Sequence, residues 1–268
     1  MVKGFYNLTS GMLTQRRNLD VISSNMANVS TVGFKSDQLM SSTFQEEMMA
    51  RTGNTDKSNP QQLASTSMAR IPRETVTDYT QGGFKETEKK LDLAISGDGF
   101  FKVQDGDQIR YTRSGSFNIN NDGYICTQFG SLLLGENGPI RVFDPDAQES
   151  ETKDGDPVEL QLNVENITVN AAGGVFDCDD NYLDQISVVF FADETQLVKD
   201  GIYFTTNQQE LPANSAILQG CLEQSNVDPL KEMVAMIESE RHLQSAAQVL
   251  KMYDKMLEKA TTEIGRIS

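Results

Sequence analysis

Apolar side chains in the N-terminal part of the chain recur at steps that alternate between three and four residues. The series consists of Phe5, Leu8, Met12, Leu19, Ile22, Met26 and Val29, and one polar residue, Gln15, interrupts it. Such alternation brings the apolar side chains onto one face of a helix and is typical of a coiled-coil seam. The helix should end within residues 25–33, where Asn, Ser, Thr and Gly favour caps and turns. The pattern therefore predicts an N-terminal amphipathic helix.

The C-terminal part of the chain repeats this alternation. Its apolar positions are Leu243, Ala246, Leu250, Tyr253, Leu257, Ala260 and Ile264, and an offset stripe comes before them at Leu230, Met233, Val234 and Ile237. The helix should begin near Pro229, because Asn226 and Asp228 offer capping oxygens and proline is tolerated in a first turn. Seams at both ends of a chain favour pairing of the two helices as a coiled-coil-like domain. From periodicity alone, a two-helix appendage on a globular core is the alternative.

The residues between the two helices follow a different pattern. Residues 51–67 are polar with few large apolar groups, which indicates a linker or an extended segment. From Met68 to Gln219, short β-like runs alternate with turn signals. The runs are Phe100–Val103, Ile109–Thr112, Ser116–Ile119 and Ser187–Phe191, and the turn signals are Asp105–Gly106, Asn120–Gly123 and Gly173–Gly174. Short strands at this spacing predict an antiparallel β domain.

These patterns together predict an α+β fold with three regions. Residues 1–40 and 222–268 form a helical assembly domain in which the terminal helices pair. Residues 41–67 form a linker or extended segment. Residues 68–221 form a central, antiparallel, all-β domain.

The composition narrows the range of partners and compartments. A net charge of −16 argues against binding to nucleic acid or to an anionic membrane, since both need clustered Lys and Arg. The sequence contains no run of about 18 apolar residues, so no transmembrane helix is predicted. It also contains no compact apolar run followed by a cleavage site, so no secretory signal peptide is predicted. Composition alone would therefore place the chain in the cytoplasm. Cys126, Cys178 and Cys221 lack metal-ligand spacing and are expected to be free thiols.

Residues that could carry out catalysis or bind a cofactor are sparse. The single histidine, His242, falls on the predicted C-terminal helix without a partner nucleophile motif. Asp177, Asp179 and Asn181 have the first spacings of a calcium loop, but the glycine and glutamate that such a loop needs later are missing, so a polar turn is expected. Gly97–Gly99 should form a tight turn into a strand, because no helix follows it to bind phosphate. We therefore expect no enzymatic activity, no metal and no cofactor.

Three separated parts of the chain carry a family resemblance. They are residues 19–35 (LDVISSNMANVSTVGFK), residues 91–103 (LDLAISGDGFFKV) with 111–117 (YTRSGSF) and 121–123 (NDG), and residues 219–229 (QGCLEQSNVDP) with 232–237 (EMVAMI) and Arg241. In this order they resemble the bacterial flagellar rod and hook family, whose members build the axial tube of the flagellum. The short chain favours a rod protein over the hook protein, which carries additional outer domains. The position in the rod, proximal or distal, stays open.

The resemblance implies a structural subunit of the flagellar basal-body rod, which self-assembles into the helical drive shaft between basal body and hook. The terminal helices would form the inner layer of the tube and the β domain the outer layer. The implied partners are copies of the chain, neighbouring axial proteins (other rod subunits and the hook) and the flagellar export apparatus, with no nucleic acid and no small-molecule substrate. The implied location is the basal body, reached by export across the inner membrane without a cleaved signal peptide. The alternative is a non-flagellar β-domain adhesin or binding module with a helical stalk.

The predicted assembly interface consists of the two helical seams. Its residues are Phe5, Leu8, Met12, Leu19, Ile22, Met26, Leu243, Leu250, Tyr253, Leu257 and Ile264. Because these seams are the predicted assembly elements, deleting residues 1–35 and 226–268 should leave a soluble, monomeric β domain that cannot enter a rod.

Overall fold

The computed structural model describes residues 2–51, 61–142, 167–177, 181–213 and 215–264. These residues form two compact units that each combine separate parts of the chain. Unit 1 contains Met1–Ala27, Asp37–Asp78 and Asp228–Ser268, and unit 2 contains Asn28–Ser36 and Tyr79–Val227. The boundaries differ from the three predicted regions, because residues 28–36 belong with the β-rich unit and the segment that follows them belongs with the helices.

Unit 1 contains two long helices and a hairpin of two long strands. Its elements are α1 (Val2–Ala27), β1 (Asp37–Arg51), β2 (Gln61–Thr77) and α2 (Pro229–Ile264). The two helices contact each other, and α1 also contacts both strands. Neither helix in the described part of the chain has an apolar stretch long enough to cross a membrane.

The start of α2 is set by Asp228. Its Oδ1 accepts hydrogen bonds from the backbone N–H of Leu230 at 3.0 Å and of Lys231 at 3.4 Å. These N–H groups have no partner within the helix, so the carboxylate satisfies them and its charge complements the positive end of the helix dipole. The predicted capping role of Asp228, with Pro229 in the first turn, is confirmed.

Residues 37–51 and 61–77 pair as an antiparallel ribbon. Its register runs from Asp37 opposite Thr77 to Arg51 opposite Gln61, with irregularities between Met40 and Ser41 and between Met49 and Ala50. The predicted linker or extended segment, residues 41–67, therefore falls largely within paired strands, except for residues 52–60, which lie outside the described residues. Backbone hydrogen bonds between neighbouring strands do not require an alternating apolar pattern, so a polar segment can form such a ribbon.

Unit 2 is built from short antiparallel strands. They are β3 (Phe84–Glu86), β4 (Leu93–Ser96), β5 (Phe100–Asp105), β6 (Gln108–Thr112), β7 (Phe117–Ile119), β8 (Ile125–Thr127), β9 (Leu132–Leu133), β10 (Thr168–Val169), β11 (Gly174–Phe176), β12 (Tyr182–Gln185), β13 (Val188–Phe190), β14 (Val198–Asp200), β15 (Tyr203–Thr205), β16 (Leu211–Pro212), β17 (Ala216–Gln219) and β18 (Cys221–Glu223), with a 3-10 helix at Glu194–Gln196. The largest sheet has the order β14-β15-β6-β5-β9-β8-β7, with β13 pairing to β5 and β16. Every described strand pairing is antiparallel. The two helices and these sheets confirm the α+β class.

Strand β5 connects the two hydrophobic cores of unit 2. Successive side chains of a strand point to opposite faces, and the neighbours Phe100 and Phe101 accordingly belong to different cores. Phe101 packs with Leu91, Leu93, Ile95, Val103, Phe117, Ile125, Leu133, Ile140, Ile167, Val175, Ile186, Tyr203 and Ile217. Phe100 packs with Tyr111, Val189, Phe191, Leu197 and Phe204.

Turns that the sequence predicts are present in unit 2. Asn120–Gly123 connects β7 to β8, where the N–H of Asn120 donates to the carbonyl of Tyr124 at 3.0 Å and Gly123 has φ +82°. Gly106, in the turn from β5 to β6, has φ +60°. Gly97–Gly99 forms the tight connection from β4 into β5. Glycine adopts such positive φ values without steric cost, so it marks the turns.

Candidate assembly surface and junction cluster

The predicted seam residues lie on α1 and α2 and differ in burial. Ile22 is buried. Phe5 and Leu257 are exposed by 40% and 43%. The side chain of Ile264 lies outside the described side chains. The remaining predicted positions are half-buried; they are Leu8, Met12, Leu19, Met26, Leu243, Leu250 and Tyr253. That these residues form an assembly interface stays a prediction.

Gln15, which interrupts the N-terminal seam, contacts Ser239 on α2. The Ser239 side chain on α2 is only 2% exposed, and its hydroxyl oxygen accepts hydrogen bonds from Gln15 Nε2 at 2.9 Å and from Asn18 Nδ2 at 3.0 Å. A buried polar side chain is tolerated when it is hydrogen-bonded. We call Gln15, Asn18 and Ser239 the polar layer. Sequence reasoning treated Gln15 as a break in the seam because its partner lies far away in the chain.

Asn25 connects three elements of unit 1. Its amide oxygen accepts from the backbone N–H of Asp37 at 3.0 Å, and its amide nitrogen donates to the Asp37 carbonyl at 2.9 Å and to Glu232 Oε1 at 3.3 Å. The side chain is 1% exposed. It therefore pairs the end of α1 with the start of β1 and with the first turn of α2. The sequence predicted Asn25 only as a helix-stopping residue.

The N-terminal half of α2 exposes a row of apolar side chains. Leu230 is 73% exposed and Val234 57%, and Met233 and Ile237 are exposed on the same side. Their spacing of three and four residues places them on one helical stripe. Soluble monomers rarely expose a contiguous apolar patch unless it binds something. We call Leu230, Met233, Val234 and Ile237 the α2 row.

The segment after α1, residues 28–36, docks onto unit 2 by close backbone contact. Gly33 has φ +67°, and its N–H donates to the carbonyl of Glu223 at 2.8 Å. A Cβ at this position would lie 2.4 Å from backbone atoms of Arg113 and Ser114, so only glycine fits. Phe34 is 2% exposed, and Lys199 Nζ lies 3.9 Å from the centre of its ring.

Three charged side chains are buried next to one another in unit 2. Lys35 Nζ lies 2.7 Å from Glu223 Oε1, and both side chains are 1% exposed. Arg113 Nη1 lies 3.2 Å from Glu223 Oε2 and is 4% exposed. Burial lowers the pKa of Arg113, and the attraction of Glu223 opposes that shift. A guanidinium stays charged across the physiological range, so the cluster holds two cations and one anion.

Backbone groups provide further hydrogen bonds to this cluster. Lys35 Nζ donates to the carbonyl of Thr80 at 2.8 Å, and Glu223 Oε1 accepts from the N–H of Gly82 at 3.1 Å. Arg113 Nη2 donates to the carbonyl of Gly97 at 2.7 Å, whereas the buried Arg113 Nε has no hydrogen-bond partner among the described residues. Such additional hydrogen bonds offset part of the cost of burying the charges.

Asn226 lies beside the cluster and has a different role from the predicted cap. Its Oδ1 accepts from the N–H of Ser36 at 2.7 Å, and its Nδ2 donates to the carbonyl of Thr80 at 3.2 Å. We call Lys35, Arg113, Glu223 and Asn226 the junction cluster. The sequence did not single out this cluster, because charged residues of these types usually lie on the surface.

The other positions that the sequence singled out lie apart from these features. His242 is exposed on α2. Asp177 donates its backbone N–H to the carbonyl of Asn181 at 3.0 Å, as in a turn, and Asp179 lies outside the described residues. Among the described residues, no group of His, Cys, Asp and Glu could hold a metal ion.

The cysteines give no sign of a site either. Cys126 and Cys221 are free, and burial raises the pKa of the Cys126 thiol, which makes it less reactive at neutral pH. Cys178 lies outside the described residues.

Three known protein-family models match parts of this chain, and the matches include both units. The model of the flagella basal body rod protein matches residues 5–35, that of the flagellar hook protein FlgE/F/G D1 domain matches residues 94–176, and that of the flagellar basal body rod FlgEFG protein C-terminal matches residues 218–263. The first and last matches cover most of α1, the docked segment and most of α2. The middle match covers much of the β-rich unit.

Whole-length relatives agree with these matches. The flagellar basal-body rod protein FlgF of Caulobacter vibrioides is 34% identical, with 100% of both chains covered. FlgG of Bacillus subtilis, also a flagellar basal-body rod protein, is 31% identical over 96% of this chain and 97% of its own. The flagellar hook-basal body complex protein FlhO of Bacillus subtilis is 28% identical, with both chains fully covered.

The comparisons give no support to a non-flagellar adhesin or binding module with a helical stalk. The matches follow the chain from α1 through the β-rich unit to α2, and relatives above 30% identity span essentially its whole length. The chain therefore belongs to the flagellar basal-body rod protein family and is a structural subunit of the rod, not an enzyme.

Proposed function

We propose that this chain enters the rod through its terminal helices, which pack against copies of itself and against neighbouring axial proteins. The α2 row carries the proposal, because four large apolar side chains on one stripe are left exposed in the single chain. Burying a fully exposed side chain of this size contributes about 1.5–3 kcal/mol. A contact of this kind that repeats from one copy to the next, without closing on itself, builds a filament.

Within each subunit, the proposal includes coiled-coil-like pairing of α1 and α2. The contact between the helices and the polar layer support it. Half-buried seam positions such as Leu8, Leu19 and Leu250 retain surface that neighbouring subunits can cover. Unit 1 would then be the assembly part, while unit 2 folds around its own two cores. The proposed delivery is by the flagellar export apparatus without a cleaved signal peptide, which rests on family membership.

A charge placed on the α2 row should abolish assembly without unfolding the subunit. In Leu230→Glu/Val234→Glu, both changed side chains are exposed, so each should alter the free energy of unfolding by less than about 0.5 kcal/mol. In the rod, the same carboxylates would be buried without partners, at a cost of several kcal/mol. We expect a normal melting temperature, no variant protein in isolated basal bodies and no swimming in a strain that lacks the native gene.

The matched control is Lys231→Glu, which makes the same change in net charge within the same helical turn but at a polar, exposed position. It should assemble and restore swimming. If the double variant restores swimming as well as this control does, the α2 row is not an assembly surface.

A further inference from the structure

The chain passes between its two units at four places, and three of them are gathered at the junction cluster. The crossings follow residues 27, 36, 78 and 227. Lys35 and Ser36 precede the second crossing, Thr80 follows the third, and Asn226 precedes the fourth. Hydrogen bonds and one ion pair join all of these residues within unit 2.

Backbone pairing surrounds the same point. The N–H of Gly33 donates to Glu223, that of Asn226 donates to Phe34, and that of Gln224 donates to Gly83. Strand β18, which ends at Glu223, also pairs with β3, which begins at Phe84. The segments 33–36, 80–86 and 221–226 therefore lie side by side, and Glu223 in the central one contacts both of its neighbours.

The charges make this arrangement cooperative. Replacing a buried ion pair with apolar groups often leaves the stability of a protein unchanged or raises it. A contribution to stability therefore does not by itself explain why three charges are buried here. Removing one partner of a buried pair is strongly unfavourable, because a charge is left without compensation. If residues 33–36 left unit 2, Glu223 would lose Lys35; if β18 left, both Lys35 and Arg113 would lose their carboxylate.

We propose that the junction cluster makes the three connecting segments fold and open as one unit, so that the points from which both strands of the β1–β2 ribbon and α2 continue are held in place before any partner binds. The ribbon and α2 can then bind neighbouring subunits while their attachment points are already ordered. Glu223 is the positioning residue of this device, and Lys35, Arg113 and Asn226 are its partners. The inference does not require that the α2 row is the assembly surface.

Amide hydrogen exchange on the full-length, unassembled protein tests the proposal. In Glu223→Gln, the side chain keeps its shape but loses its charge, and exchange in residues 33–36, 80–86 and 221–226 should accelerate together by about 100-fold or more, as expected when a buried pair is broken. In Lys35→Met, all three segments should again respond, although the substitution lies in only one. If Lys35→Met accelerates exchange in residues 33–36 alone, the segments are not coupled and the proposal is wrong.

Glu210→Gln provides the matched control. Glu210 forms an ion pair of the same length with Lys102, 2.7 Å, but its side chain is 32% exposed. This substitution should leave exchange in the three segments unchanged; acceleration there would show that any lost charge loosens unit 2.

A measurement on the unaltered protein covers the case in which Glu223→Gln does not fold. With increasing urea below the unfolding transition, the slowest amides of the three segments should converge on a single opening free energy with a single urea dependence. Different opening free energies for the three segments would overturn the proposal. Because the protein is unassembled in every arm, failure of the rod proposal would leave these results unchanged.

Discussion

A fragment of residues 28–227 should fold as a stable monomer, whereas a fragment of residues 36–225 should be largely unfolded under the same conditions. The shorter fragment is the one that the helical patterns suggest. It lacks Lys35, so Glu223 keeps Arg113 as its charged partner but loses one charge-assisted hydrogen bond, at a cost of about 1.5–3 kcal/mol. It also lacks the buried Phe34, which contributes about 1.5–3 kcal/mol. Together these losses approach the lower end of the stability of a typical domain, about 5–15 kcal/mol.

Urea unfolding, followed by near-ultraviolet circular dichroism and by amide exchange, would measure the difference. The longer fragment with Lys35→Met should unfold at an intermediate urea concentration, because it keeps Phe34 and loses only the ammonium group. Equal unfolding midpoints for residues 28–227 and 36–225 would mean that the docked segment contributes nothing to unit 2.

Replacing Ile22 with Asp should disrupt unit 1 and leave unit 2 folded. Ile22 is 5% exposed on α1, so the new carboxylate would be buried among groups that do not compensate its charge, at a cost of several kcal/mol. We expect rapid proteolysis within α1 and α2, unchanged exchange protection of β5 and β6, and no assembly. Limited proteolysis with mass spectrometry, together with amide exchange, would report on both units in one sample.

Ser23→Asp is the control for this substitution. It adds the same charge at the next residue, which is exposed, and it should leave proteolysis and assembly close to those of the unaltered protein. Loss of protection in β5 and β6 of Ile22→Asp would show that the two units do not fold independently.

The sequence predicted the elements whose signals are local. The Asp228 cap, the Asn120–Gly123 turn and the two amphipathic helices each depend on residues a few positions apart, and the structure contains all of them. The β1–β2 ribbon was harder to predict, because its Ser- and Thr-rich sequence lacks the alternation of apolar and polar residues by which a half-buried strand is recognised.

The junction cluster could not be predicted, because its partners are distant in the chain. Lys35 and Glu223 are separated by 188 positions, and Arg113 and Glu223 by 110. Each residue, taken alone, has the signal of an ordinary surface charge. The role of Gln15 could not be predicted for the same reason, because its partner Ser239 is 224 positions away.

The polar layer also has a mechanical consequence. Apolar contacts between two facing helices oppose the sliding of one helix along the other only weakly, because a small displacement replaces one apolar contact with another. A slip of one helical turn, about 5.4 Å, would carry Ser239 away from both Gln15 and Asn18 and break two buried hydrogen bonds at once. The polar layer, together with the hydrogen bond from Asn25 to Glu232, therefore fixes the axial register of the two helices.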